Sequence, residues 1–195
     1  MGIQLCVESM AGDVVSEESA AQALRQIRLV DTNAVGHVPL QEDSTVAIAL
    51  IFVSTDCPVA NAFQPALRKI CETYKDQGVR CFMIHSSSKT VESKVVSHIK
   101  DYGITMPVVL DSDQSIGQLV DAKVTPEAIV VDRTGQVRYR GLINNLYAGY
   151  GKKRQEATEH YLTDALDALI DGDPVRNAIT KPIGCFIHYV DSNKE

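Results

Sequence analysis

VAIALIFVSTDCPVANAF (46–63) opens on an unbroken apolar run, which is followed by two hydroxyl residues, an aspartate, a cysteine and a proline. Eight consecutive apolar residues rich in β-branched side chains, Val46 to Val53, read as a strand buried on both faces, as in the middle of a parallel sheet. Pro58 suits the first position of a helix, and the apolar residues that follow recur at steps of three and four. Val59, Phe63, Ala66, Leu67, Ile70, Cys71 and Tyr74 therefore share one face of a helix predicted over 58–77, stopped by Gly78. Pro65 interrupts that pattern and predicts a kink. A strand delivering Cys57 to the start of a helix is the geometry in which open α/β sheets build their sites.

The flanking sequence repeats the alternation. Before it, residues 27–40 read as a small hairpin turning at Asn33 to Gly36. After it come a strand over 79–84, a helix over 90–102, a strand over 106–110 and a short helix over 113–122. Residues 128–131 and 137–140 flank Asp132-Arg133-Thr134-Gly135 as a hairpin, and a last helix spans about 156–170. Strands alternating with helices imply a parallel sheet with right-handed crossovers, to which the late hairpin adds an antiparallel edge. The chain divides into a lead-in over 1–25, one α/β domain over 26–172 and a tail over 173–195 carrying Cys185.

The 195 residues suffice for one domain with a sizeable core, and 45% apolar against 23% charged residues is ordinary for a globular chain. With 25 acidic against 19 basic residues the net charge is −6, which argues against a nucleic-acid partner. No apolar run reaches the length of a membrane span. Residues 1–15 lack the pattern of a secretory leader, so the compartment stays open between the cytoplasm and, had a leader been removed, the periplasm or exterior. Gly2 is a poor myristoylation site because Cys6 stands where Ser or Thr is preferred. Five cysteines (6, 57, 71, 81 and 185) without paired spacing exclude a disulfide scaffold.

The stretch 47–70 resembles the thioredoxin superfamily's strand, active-site cysteine and long helix. YGITMPVVLDSDQSIGQLVDAKVTPEAIVVDRTGQVRYRG (102–141) resembles the redoxin branch, with the alkyl hydroperoxide reductases and thiol-specific antioxidant proteins. RGLINNLY (140–147) and TKPIGCFI (180–187) are similar to a bacterial subgroup of redoxin-domain proteins with an early Cys-Pro and a late Gly-Cys-x-Ile motif. The resemblance implies a thioredoxin-like α/β fold: a central mixed sheet flanked by helices, with a redoxin-type strand–helix insertion. It also implies that Pro126, in Val124-Thr125-Pro126, is a cis-proline facing Cys57. The chain departs from those patterns at four places. Ala60 replaces the second cysteine of a Cys-x-x-Cys pair, Asp56 stands where thioredoxins carry Trp, and Ser54 and Leu50 replace the Thr and Pro of the peroxiredoxin signature.

A thiol reacts as thiolate, and the unpaired N–H groups and dipole of a helix start lower its pKa. Cys57 is therefore the expected reactive group, attacking a peroxide or a protein disulfide in a pocket formed by Ser54, Thr55, Pro58, Thr125 and Pro126. Cys185 is the candidate resolving thiol: a sulfenic acid on Cys57 would condense with it to a disulfide that a thioredoxin-like reductant reopens. The opposing reading of Cys185 is a plain anchor for the tail. Cys71 and Cys81 read as core, and His98 and His160 as solvated. Asp111-Ser-Asp113 reads as a helix cap, and Arg133, Arg138 and Arg140 as hairpin surface. No cofactor is implied, and a homodimer stays open. Two other classes remain. One is a non-catalytic thioredoxin-fold binding module or Cu/Zn chaperone, using Cys57, Cys185 and His188. The other is a scaffold whose site has decayed.

Overall fold

In the computed structural model, which describes residues 17–190, the strand read from the apolar run is the middle of a five-stranded sheet. Helix α1 (Glu17–Arg25) precedes β1 (Leu29–Val30) and β2 (Gly36–His37). The alternating body follows as β3 (Ala47–Phe52), α2 (Pro58–Tyr74), β4 (Val79–Ser86), α3 (Glu92–Tyr102), β5 (Val108–Asp111) and α4 (Ser115–Leu119). Strands β6 (Val124–Thr125), β7 (Glu127–Asp132) and β8 (Val137–Gly141) come next, then β9 (Tyr147–Gly149), β10 (Lys152–Lys153), α5 (Tyr161–Asp171) and β11 (Cys185–Phe186).

The sheet order is β5-β4-β3-β7-β8, with β3, β4 and β5 parallel and the β7–β8 hairpin antiparallel. This is the expected mixed sheet flanked by helices, and β5 with α4 forms the inserted strand–helix step. All six residues of β3 are buried, because side chains alternate between two covered faces. Ala47, Ala49 and Ile51 pack with Phe63 and Leu67 of α2, Val95 of α3 and Leu162 and Leu166 of α5. Ile48, Leu50 and Phe52 pack with Leu24 of α1 and Val120 after α4. The core is thus two layers, one on each side of the sheet.

Three elements differ from the sequence reading. Residues 17–25 form a helix whose Leu24 closes the second layer, although only one of its side chains is fully buried and so no apolar stripe marks it. Helix α2 (with Pro65 inside it) ends at Tyr74 rather than 77, because residues 75–77 tighten into a 3-10 turn before Gly78. The last helix begins at Tyr161 rather than 156, because the preceding residues are held elsewhere: Asn145 Oδ1 accepts the N–H groups of Thr158 and Glu159, at 2.8 and 3.1 Å. Gly2 and Cys6 lie outside the described residues.

Register carries the chain to the site. Phe52 pairs with Glu127 and Ile51 with Ala128, so the loop after β3 and the turn before β7 meet at one end of the sheet. The Thr125–Pro126 peptide in that turn is cis.

Candidate active site

Cys57 is the N-cap of α2: its backbone is extended, Pro58 supplies the first helical position, and its Sγ accepts the Ala60 N–H at 3.4 Å. The side chain lies beside the cis turn, where the thiol donates to the Thr125 carbonyl at 3.0 Å. Only 1% of Cys57 is exposed. Its cover is the tail. Strand β11 pairs antiparallel with β6, placing Cys185 opposite Thr125 and Phe186 opposite Val124.

Both sulfurs are free thiols, and each shifts the titration of the other. Burial pushes the Cys57 thiol up, but the Ala60 N–H, the Cys185 thiol, the Thr125 hydroxyl and the Cys185 N–H all favour a thiolate and bring it below the ordinary value. Cys185 moves the other way. Burial, its donation to Cys57 and the charge of a Cys57 thiolate push it up to about 11. Of the two thiols, Cys57 is thus the one that ionises first. Asp56 is exposed on the loop.

The tail is fixed at three points. Ile187 N–H donates to Lys123 O at 2.9 Å. The Gln114 side chain reads the backbone further on, Nε2 donating to His188 O and Oε1 accepting Val190 N–H, both at 2.9 Å. Tyr189 OH donates to Ala122 O at 2.7 Å. Glu127 braces the opposing strand, its Oε2 accepting the Lys123 and Val124 N–H groups at 2.7 and 3.2 Å. Gly184 is required by space: a Cβ there would stand 2.0 Å from the Thr125 carbonyl oxygen. Gly184→Ala should therefore lift the tail and slow closure of a Cys57–Cys185 disulfide about tenfold or more, through lost effective concentration. Stopped-flow oxidation with acid quench reads that rate, and an unchanged rate would show that the pairing does not control it.

A second layer supports the loop that carries Cys57. His98 Nε2 donates to Asn61 Oδ1 at 2.8 Å, and Asn61 Nδ2 donates to Thr55 O at 2.9 Å. His98 is thus buried rather than solvated, and it meets buried His85 edge-on with ring centroids 5.7 Å apart. His85 Nε2 and His98 Nδ1 have no hydrogen-bond partner among the described residues. Burial, and then the neighbouring His98, pull His85 down to about 4. A lowered histidine stays neutral in the fold while the unfolded chain takes up the proton. Stability is therefore full above about pH 6.5 and is lost as pH falls toward about 4, by at most about 3 kcal/mol. Urea unfolding of the wild type across that range should show the decline, and His85→Phe should remove the larger part of it.

Ser54, Thr55, Thr125, Cys185 and His188 line one cavity of about 360 Å³ beneath the tail. Pro58 is exposed at the helix start, and Pro126 lies in the cis turn. His188 is exposed, and among the described residues no three of His, Cys, Asp or Glu are grouped to hold a metal. A larger groove of about 1410 Å³ between α1 and the β7–β8 hairpin contains no cysteine. Cys71 and Cys81 are buried in the first core layer. Asp111 and Asp113 cap α4, Asp111 accepting the Ile116 and Gly117 N–H groups at 3.0 and 2.9 Å. Sequence gives no signal for Gln114, which acts on backbone that folding alone brings close, or for Asn61 and Glu127, whose bonds to nearby loop backbone follow no periodicity.

A family model, Redoxin, matches residues 21–148. The chain is 28% identical over 111 residues to the thiol-disulfide oxidoreductase ResA of Bacillus subtilis, covering 56% of this chain and 59% of that protein. It is 24% identical over 100 residues to ResA of Halalkalibacterium halodurans, covering 51% and 56% of the two chains. The chain therefore spans less than two thirds of these curated relatives. A hypothetical protein from Sinorhizobium meliloti superposes with a TM-score of 0.74 at 25% identity, over 85% of this chain and 92% of that one. No helix among the described residues is long and apolar enough to cross a membrane.

Proposed function

Because the chain belongs to the Redoxin family, we propose that it is a thiol–disulfide oxidoreductase whose redox pair is Cys57 and Cys185, cycling between two thiols and one intramolecular disulfide. The observation that carries this reading is the β6–β11 pairing, which sets Cys185 opposite Thr125, the residue whose carbonyl accepts the Cys57 thiol at 3.0 Å. The tail over 173–195 thereby supplies the second sulfur that residue 60, an alanine, lacks. Each residue of the site then has a task. Ala60 N–H and the Thr125 hydroxyl stabilise the Cys57 thiolate. Pro58 starts the helix whose dipole adds to that stabilisation. Pro126 shapes the turn that pairs with the tail, and Ser54 and Thr55 form the polar floor of the cavity.

Disulfide exchange is favoured over peroxide reduction by two observations. Cys57 is only 1% exposed, which leaves a free peroxide little access to it, and the curated relatives are named thiol-disulfide oxidoreductases. The test compares the rates at which the reduced protein consumes one equivalent of hydrogen peroxide and one equivalent of a disulfide-bearing model protein. The account predicts that the disulfide is consumed much faster. Faster peroxide consumption, with Cys57 sulfenic acid trapped on the way, would replace this reading with a peroxidase.

A further inference from the structure

Cys57 and Cys185 are unequal in access. Cys57 is sealed in the core, whereas Cys185 is only half-buried, with one side on Cys57 and the other on the 360 Å³ cavity. Displacement at a disulfide sulfur needs an open approach to the sulfur that is attacked. Cys185 lines the cavity and Cys57 does not, so a molecule in the cavity meets the Cys185 sulfur and not the Cys57 sulfur. Resting on the redox pair proposed above, we propose that Cys185 is the sulfur that exchanges with outside partners, and that the partner taken up in the cavity is a small anionic thiol. The roles expected from the sequence are thus exchanged, with Cys57 as the internal, resolving sulfur.

The cavity carries the argument for the partner. Its volume matches a ligand of a few residues, and the edge of β6 that an extended peptide would use is already taken by β11. Its polar lining includes Ser54, Thr55, Ser87 and Thr90, and two cations, Lys89 and Lys94, stand at it. Neither lysine makes an ion pair among the described residues, and both outweigh the one carboxylate in the lining, Asp56. An anionic group on the partner would pair with them.

The chemistry balances. An outside thiolate attacks Cys185 of the protein disulfide; the new bond joins the two, the Cys57–Cys185 bond breaks, and its electron pair leaves on Cys57. Ala60 N–H holds that thiolate, which makes Cys57 the better leaving group of the pair. A second small thiolate attacks the sulfur of the first, forming a small-molecule disulfide and releasing Cys185, which takes a proton from water. The protein disulfide has gained two electrons, and two small thiols have been oxidised to one disulfide.

The test is adduct mapping on the full-length chain. Cys57→Ser and Cys185→Ser are each incubated with glutathione disulfide, an anionic probe, and with cystamine, a cationic one, then quenched with acid and peptide-mapped. Cys57→Ser should take one glutathione adduct on Cys185 at least about tenfold faster than Cys185→Ser takes one on Cys57, because the burial of Cys57 outweighs its readier ionisation. Lys89→Gln/Lys94→Gln should reduce the preference for glutathione over cystamine by about threefold to tenfold. Should either variant misfold, oxidised wild type quenched early in its reaction with glutathione gives the same answer, with the mixed disulfide on Cys185. Faster adduct formation at Cys57 would overturn the proposal, as would an unchanged preference in the lysine variant for the anionic partner. Failure of the wild type to form any Cys57–Cys185 disulfide would instead overturn the function on which it rests.

Discussion

Cys57→Ser should lower turnover in disulfide exchange by on the order of 10³ or more, the scale on which removal of a residue that forms and breaks the covalent bond is felt. Cys57 is the sulfur with the lowered pKa, held by the Ala60 N–H and by Cys185 and Thr125 donors. Serine keeps the size and the N-cap bond but cannot form or release a disulfide. With no small thiol supplied to release it, the variant should still react once, through Cys185, and then stop with the partner attached. A burst of one adduct per chain followed by no turnover is the expected trace. Retention of a tenth or more of wild-type turnover would mean that another cysteine carries the chemistry.

Phe52→Ala should cost about 3–5 kcal/mol of stability, the range for a buried aromatic truncated to a methyl. Phe52 is completely buried, at the end of the central strand, in the layer closed by Leu24 and Val120. Its backbone pairs with Glu127, next to the cis turn. A cavity there removes packing from both the sheet and the turn, and the surrounding strands have little room to collapse because all six residues of β3 are buried. The urea midpoint measures the loss. A loss below about 1 kcal/mol would mean that this layer is loosely packed.

The parts of the fold legible in the sequence are those written in local periodicity. The unbroken run at 46–53 gives β3, and the three-and-four spacing from Val59 to Tyr74 gives α2 and its buried face. Pro58 gives the helix start, and with it Cys57 as a candidate. Helix α1 is not legible, since Leu24 alone is fully buried on it. His98 reads as a solvated helical residue because its partner, Asn61, lies 37 residues away. The tail is the largest gap. Gly184 looks like a loop residue until the Thr125 carbonyl stands where its side chain would be. Gln114 is an unremarkable helix-start residue until its amide pairs with the backbone of His188 and Val190. Cys185 itself stood open between an anchor and a second thiol, because only the long-range β6–β11 pairing sets its distance from Cys57. Long-range pairing is the information that periodicity does not carry.

The central claim is that Cys57 and Cys185 are one redox pair, and its direct measurement is disulfide mapping. The native protein is equilibrated in an oxidising thiol–disulfide buffer, blocked with an alkylating reagent, digested without reduction and analysed by mass spectrometry. The account predicts one disulfide, joining the peptide that contains Cys57 to the peptide that contains Cys185, with Cys71 and Cys81 left as thiols. An oxidised protein in which Cys57 remains a thiol, or is joined to any cysteine other than Cys185, would contradict it.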